Sequence, residues 1–360
     1  MKRLLLSGYY GYGNAGDEAV LSGLVAGFRS AAPTGELELT ALSGSPAETR
    51  TAHGIEAADR YQPAALLPAI ARCEAFLSGG GSLLQDVSSA HSIFYYLGVV
   101  KMAQMLGKKT MFIAQGVGPL SLPRSRKLVA TVANKLDAIT VRDSDSAALL
   151  REIGVTRPLI EVTADPALLL SPSSSGSPII GGGGAFGVAL RPWHGQENVG
   201  AEVAAACLAA LSRQKPLLLP MQDASDRPIA EQFARKWGQV SAATLCSTTD
   251  GLGPLLSTIA GCDMMVGMRL HALILAAAAG VPSVALSYDP KVTAFMQASG
   301  QGDAVYDLSA PDLDRLEALL ARVWAERTVR ADALRAALPG LRAKAMRNVD
   351  AALSLIRTRP

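Results

Sequence analysis

Along the first half of the chain, short runs that are apolar at almost every position, "RLLLSG", "LELTAL", "AFLSGG", "TMFIAQG" and "AITVRD", alternate with longer stretches of helical period. The second half repeats the scheme with "GVALRPW", "PLLLPMQ", "MMVGMR" and "SVALSYD". A strand that is apolar on both sides has no face left for water, so these runs predict parallel strands covered by helices above and below. Two βαβ series in succession result, which makes this an α/β protein of two doubly wound, Rossmann-like domains whose parallel sheets face a central cleft. Between the series, "SPSSSGSPIIGGGG" can neither fill a core nor hold a helix and predicts the hinge. The expected domains are 1–172 and 185–340, with a hinge at 173–184 and a basic helix or tail at 341–360.

Composition narrows the partners. A chain of 360 residues exceeds what one core organises, and 49% hydrophobic against 18% charged residues excludes disorder. A net charge of +3 is far from that of a dedicated nucleic-acid binder but suits a small anionic substrate. Cys73, Cys207, Cys246 and Cys262 are scattered without a C-x-x-C pair, so neither zinc nor a disulfide framework is expected, as in a reduced, cytoplasmic protein. Leu4 to Leu6 are too short for a signal-peptide core, and Ala272 to Leu286 is broken by Gly280 and Pro282 before it could span a bilayer. From Arg322 onward nine Arg and Lys stand against three acids. That excess fits a solvated helix face or peripheral contact with an anionic membrane, and the sequence leaves both open.

In open α/β sheets ligands bind beyond the carboxyl ends of the strands, so the residues after each apolar run carry the chemistry. The first such loop, Gly11 to Gly16, satisfies G-x-G-x-x-G, yet no acid closes the second strand, where Leu42, Ser43 and Gly44 stand, and Asp17 and Glu18 occupy the helix start that a pyrophosphate would need. No nicotinamide or flavin cofactor is expected. The loop is either a glycine-rich turn with an acidic cap or a sugar-binding loop of Gly13, Asn14 and Gly16 in which Asp17 accepts hydroxyl protons. After the next strands come Gly79, Gly80 and Gly81 with Gln85 and Asp86, then Gln115 and Gly116, and then Arg142, which is either an anion ligand or an ion-pair partner. In the second half, "MMVGMRLHALILAAAAG" puts Arg269 and His271 in the first turn of an apolar helix, where backbone amides favour an anion. "LSYDPKVTAFM" adds Tyr288, Asp289 and Lys291, and Arg191, His194, Gln222 and Asp223 line the same edge with weaker claims.

Two doubly wound domains across a cleft resemble the GT-B architecture of many glycosyltransferases. More specifically, "GYYGYGNAGDEAVL", "GGGSLLQD", "AQGVGP", "VRDSDS", "TADPALLL" and "GMRLHALILAAAAGVPSVALSYDPKV", in that order over residues 1 to about 300, resemble the polysaccharide pyruvyl transferases, most closely their CsaB type. The resemblance implies a GT-B-like transferase that moves pyruvate, as a ketal, from phosphoenolpyruvate to an N-acetylmannosamine residue of a lipid-linked secondary cell-wall polymer precursor. That would serve cell-wall biogenesis and S-layer anchoring at the cytoplasmic face of the membrane, with the acceptor on the first domain and phosphoenolpyruvate on the second. The residues suit that chemistry. Arg142, Arg269 and Lys291 would hold the donor's phosphate and carboxylate, and His271 would protonate its enol carbon. Asp17 or Asp86 would accept the hydroxyl proton and orient the sugar, and neither metal nor cofactor is expected. A GT-B glycosyltransferase using a nucleotide sugar, or a non-catalytic phosphosugar-binding protein, are the alternatives.

Overall fold

The predicted apolar runs become strands in the computed structural model, which describes every residue except 34, 87–89, 172–182, 194–196, 239–243, 246–250 and 358–360. The chain divides into two units, one of Met1–Tyr12, Asp17–Leu169 and Arg342–Pro360, the other of Gly13–Gly16 and Leu170–Leu341. The expected hinge at 173–184 falls almost wholly outside the described residues.

The first unit runs β1 (Lys2–Tyr10), α1 (Ala15–Ala31), β2 (Leu37–Ser43), α2 (Pro46–His53), β3 (Glu56–Asp59), α3 (Pro63–Arg72), β4 (Ala75–Gly79), α4 (Ala90–Met105), β5 (Lys109–Gln115), α5 (Pro123–Ala133), β6 (Ala138–Val141), α6 (Ser144–Glu152) and β7 (Ile160–Val162). Its sheet is parallel, in the order β3-β2-β1-β4-β5-β6-β7. Leu4, Leu5 and Leu6 are buried because β1 lies centrally between β2 and β4 and both sheet faces are covered. The second unit runs β8 (Ala185–Ala189), α7 (Val199–Leu211), β9 (Lys215–Leu218), α8 (Asp223–Trp237), β10 (Thr244–Leu245), α9 (Leu252–Ala260), β11 (Met264–Gly267), α10 (Leu270–Ala278), β12 (Ser283–Ser287), α11 (Pro290–Ala298), β13 (Val305–Asp307), α12 (Leu313–Ala325) and the first part of α13 (Arg327–Arg357). Its parallel sheet has the order β10-β9-β8-β11-β12-β13. Strand order reverses between β1 and β4 in one sheet and between β8 and β11 in the other, the crevices where doubly wound sheets bind ligands.

Four strands lack an apolar run in the sequence: β3, β7, β10 and β13. All four are sheet edges. An edge strand meets one neighbour and water, so it can be short and mixed, as "EAAD" and "VYD" are.

The region expected as a separate basic tail is the later part of α13, and from Arg342 it belongs to the first unit. Val349 and Ala352 are fully buried there. The buried Asn348 fastens it: its Oδ1 accepts from Thr140 Oγ1 at 2.7 Å and Thr163 Oγ1 at 2.8 Å, and its Nδ2 donates to the carbonyls of Ala164 and Ala345. Several of the cations counted from residue 322 pair with acids of the same chain. Arg347 pairs with Glu161, Arg335 with Asp332, and Arg322 and Arg330 converge on Asp303. The Arg330 hydrogen bond, foremost, lowers the Asp303 carboxyl to about 2. No described helix is long and apolar enough to cross a membrane. Cys73, Cys207 and Cys262 are buried free thiols, and Cys246 lies outside the described residues.

Candidate active site

At the β1/β4 crevice of the first unit the opening loop is bound to α1. The Gly11 amide, at φ +78°, donates to Glu18 Oε1 at 2.7 Å. The other carboxylate oxygen of Glu18 takes the buried His53 Nε2 at 2.8 Å, and His53 Nδ1 meets Ser22 Oγ at 2.9 Å. Glu18 therefore closes the turn on itself. The three glycines at the end of β4 are closely packed. A methyl group on Gly79 would lie 2.1 Å from the Ile113 carbonyl oxygen, one on Gly80 (φ +80°) 2.4 Å from Val20 Cγ1, and one on Gly81 2.8 Å from Asp17 Oδ1. Asp17 thus stands against the Gly81 backbone, beside Tyr10. Burial, and after it the Asp17 charge, raise the Tyr10 hydroxyl well above its ordinary pKa.

Several residues expected as ligands turn out to hold this unit together. The Asp86 carboxylate accepts from the backbone amides of Ser121 at 2.7 Å and Leu122 at 2.8 Å. Burial alone would raise its pKa; these hydrogen bonds outweigh it and hold the group below the usual range, which fits a loop clasp better than a proton acceptor. The buried Gln115 Nε2 donates to the carbonyls of Gly81 and Gly116, so it ties two glycine loops together. It follows Ala114, the one non-glycine residue at positive φ (+44°) among those described, whose amide donates to Thr140 Oγ1. The Arg142 side chain is only 5% exposed. Its Nη1 donates to Asp165 Oδ2 and its Nη2 to Ser82 Oγ, both at 2.7 Å, and a methyl group on Gly116 would crowd it at 3.1 Å. Its charge is matched by Asp165, a partner that sequence reasoning missed although it lies within "TADPALLL".

In the second unit, β11 ends at Gly267 as read from the sequence, and α10 begins at Leu270 with Arg269 as its N-cap residue and His271 in its first turn. Ala272 to Ala278 are all buried, so the helix is apolar throughout and its mouth carries the polar chemistry. The amides of Met268 and Arg269 both donate to the Ala189 carbonyl, which holds that mouth to the end of β8. The Arg269 guanidinium is clamped. Its Nε donates to Asp226 Oδ2 at 2.9 Å, and its Nη2 reaches Asp226 Oδ1 and Ser225 Oγ. Asp226 is fully buried and also accepts from the amides of Met221 and Gln222. Sequence reasoning chose Gln222 and Asp223 in "PMQDASD" and passed over Asp226; the signal available was an acid in the first turn of a helix that follows a strand.

Gly13–Gly16 are grouped with this unit. The Ala15 amide donates to the Met221 carbonyl at 2.8 Å, and Asn14 caps α1 by accepting from the Gly16 amide at 2.9 Å, a structural use for a residue expected as a ligand. His271 lies directly against Gly16: a methyl group there would be 2.2 Å from Nδ1. At the end of β8, Arg191 Nη1 donates to the Tyr288 hydroxyl at 3.0 Å and the guanidinium lies 5.2 Å from that ring's centre, which also packs on Trp193. Among the described residues no carboxylate pairs with Arg191, and its buried Nε has no partner. Lys291 stands in the first turn of α11, its amide capped by Asp289. His194 lies outside the described residues.

A family model described as polysaccharide pyruvyl transferase matches residues 14–290. The amylovoran biosynthesis protein AmsJ of Erwinia amylovora is 22% identical over 271 residues, 66% of this chain and 62% of that protein, so the match spans less than two thirds of the relative's length. Among solved structures, HepE of Anabaena in complex with UDP is 13% identical with a TM-score of 0.62, covering 98% of this chain and 100% of that one. MnaA of S. aureus with UDP is 12% identical with a TM-score of 0.68 (100% and 99% covered), and the UDP-GlcNAc 2-epimerase of Neisseria meningitidis 11% with 0.63 (98% and 99%). These likenesses show the fold, a GT-B-like pair of parallel α/β sheets.

Proposed function

The chain belongs to the polysaccharide pyruvyl transferase family, and from that membership we propose that it transfers pyruvate from phosphoenolpyruvate to a saccharide as a ketal across two hydroxyls. We take the acceptor to be an N-acetylmannosamine residue of a lipid-linked secondary cell-wall polymer precursor, as in the CsaB type, with the reaction in the cytoplasm. The observation that supports it most is the edge of the second sheet, where Arg191, Arg269, His271 and Lys291 follow the adjacent strands β8, β11 and β12. A ligand with one phosphate and one carboxylate needs several cations there. Arg269 is oriented by Asp226, while Arg191 has no acid partner among the described residues and Lys291 opens α11. His271 gives a proton to the methylene carbon of the enol, which leaves an oxocarbenium-like centre at the neighbouring carbon. A sugar hydroxyl attacks that centre and passes its proton to a carboxylate, for which Asp17 is the candidate. Phosphate leaves with its bridging oxygen, and the second hydroxyl closes the ketal as its proton passes to the departing phosphate. Phosphoenolpyruvate and a diol thus give ketal and inorganic phosphate without redox change.

Phosphate release from phosphoenolpyruvate, measured with and without a disaccharide containing N-acetylmannosamine, tests this: release should depend on the disaccharide. Phosphoenolpyruvate should also stabilise the folded protein, by about 2.7 kcal/mol at a hundredfold excess over Kd, while NAD, NADP, FAD and UDP do not. Stabilisation by UDP and none by phosphoenolpyruvate would favour a nucleotide-sugar glycosyltransferase instead.

The contact between Gly16 and His271 gives a second expectation. Gly16→Ala forces the imidazole aside, and displacement of a reacting group by about 1 Å costs up to roughly 10²-fold in rate. Turnover should fall at least about 10-fold with the fold retained by circular dichroism. Unchanged turnover would mean that the ring position is not critical.

A further inference from the structure

We propose that a wall of tyrosines in the first unit, Tyr9, Tyr12, Tyr61, Tyr95 and Tyr96 arranged around the buried Arg60, is a saccharide-stacking subsite that holds a sugar ring of the acceptor; this rests on the acceptor being a saccharide. Arg60 is 2% exposed, and among the described residues no carboxylate pairs with it. A buried cation is costly unless its charge is met. Here four aromatic faces meet it, the guanidinium carbon lying 4.6 Å from the ring centre of Tyr95, 5.0 Å from Tyr96, 5.5 Å from Tyr12 and 5.6 Å from Tyr61. Arg60 Nη1 donates to the Gly8 carbonyl at 2.7 Å, and the Tyr95 hydroxyl donates back to the Arg60 carbonyl at 2.9 Å. Tyr9 extends the wall by stacking on Tyr12 at 4.4 Å and 17°.

The same contacts hold the rings in place. The two ends of the wall face water: Tyr61 is 66% exposed and Tyr9 37%. An aromatic ring that is both exposed and fixed presents an apolar face with a polar tip, the surface on which the C–H face of a pyranose packs while its hydroxyls reach polar groups. Those groups are at hand. Burial first and the Asp17 carboxylate second raise the Tyr9 hydroxyl, so the carboxylate is within electrostatic reach of that ring. Asp59 Oδ1 accepts the Tyr61 amide at 2.8 Å and fixes the backbone beneath the other end. Tyr9 lies near the end of β1 and Tyr12 just after it, Tyr61 follows β3, and Tyr95 and Tyr96 lie in the second turn of α4, at the carboxyl edge of the sheet that also carries the Gly79–Gly81 turn.

Saturation-transfer NMR with a disaccharide containing N-acetylmannosamine tests the subsite on the full chain. The wild type should show saturation transfer to the sugar. The apparent Kd should rise roughly 10-fold in Tyr61→Ala and Tyr9→Ala, the size expected of one lost aromatic contact, and stay near wild type in Tyr61→Trp. Stabilisation by phosphoenolpyruvate should be the same in all four proteins. Wild-type saccharide affinity in both alanine variants, or no saccharide signal in the wild type, would overturn the proposal. Failure of the donor assignment shows separately, as loss of phosphoenolpyruvate stabilisation with saccharide binding intact.

Discussion

His271→Gln should lower turnover by roughly 10²-fold or more while leaving phosphoenolpyruvate affinity nearly unchanged, because glutamine keeps the size and hydrogen bonding of the imidazole but delivers no proton efficiently. The structure sharpens this expectation. The Nδ1 edge of the ring lies against Gly16, so the loop fixes where the imidazole stands. Lys291→Ala should act first on binding, raising KM before it lowers kcat. Phosphate release under saturating donor, read beside the stabilisation that phosphoenolpyruvate confers, separates the two effects. Near wild-type turnover with raised KM in His271→Gln would make the histidine an anion ligand only, and the proton donor would have to be sought elsewhere, with His194 the first residue to replace.

Asp226→Asn should be the most destabilising conservative change in the second unit. The carboxylate is fully buried and receives Nε and Nη2 of Arg269, the Ser225 hydroxyl and the amides of Met221 and Gln222. An amide group would turn donors toward donors and leave the guanidinium without its counter-charge, a loss of about 3 kcal/mol by comparison with other broken buried pairs. Arg269 keeps 16% of its side chain exposed, so water recovers part of its charge, and the loss should lie at the lower end of that class. Urea unfolding of the variant should show an earlier midpoint. Replacing both partners by apolar residues, Asp226→Leu with Arg269→Met, should recover stability but not activity, since Arg269 would no longer be presented to the donor. A single variant that unfolds at the wild-type midpoint would show that the pair contributes orientation alone.

The motif readings and the structure diverge in an orderly way. In the sequence, Gly79, Gly80, Gly81, Gln115, Asn14 and Asp86 point to a ligand because glycines and short polar groups after strands so often meet one. Each also meets a neighbour within the fold: a carbonyl, a valine methyl, a carboxylate, a helix amide. Arg142 and Arg269 were selected as anion-binding cations, and each carries its own carboxylate. The single-letter pattern cannot separate these cases, since a guanidinium that meets a substrate and one that meets Asp165 are spelled alike. Arg60 and its tyrosines went unread for the opposite reason. "GYYGYG", "DRYQ" and "FYYL" have no period in common, and only folding brings them around one charge.

What the sequence determined by itself is what repeats locally. A strand buried on both faces must be apolar at every position and a helix between strands must keep its period, so the two parallel sheets and the placement of Arg269 and His271 at the mouth of α10 are written in consecutive residues. Partner choice is not local. Arg142 finds Asp165 23 residues away, Arg269 finds Asp226 at 43, and Asn348 finds Thr140 at 208. Nor are edge strands, whose one-sided burial imposes no apolar run. The tertiary structure alone decided which charges are matched, which glycines are packing requirements and which rings are held facing water. Hydrogen bonds and ion pairs select among all groups that the fold brings within about 3 Å, and that distance has no counterpart along the chain.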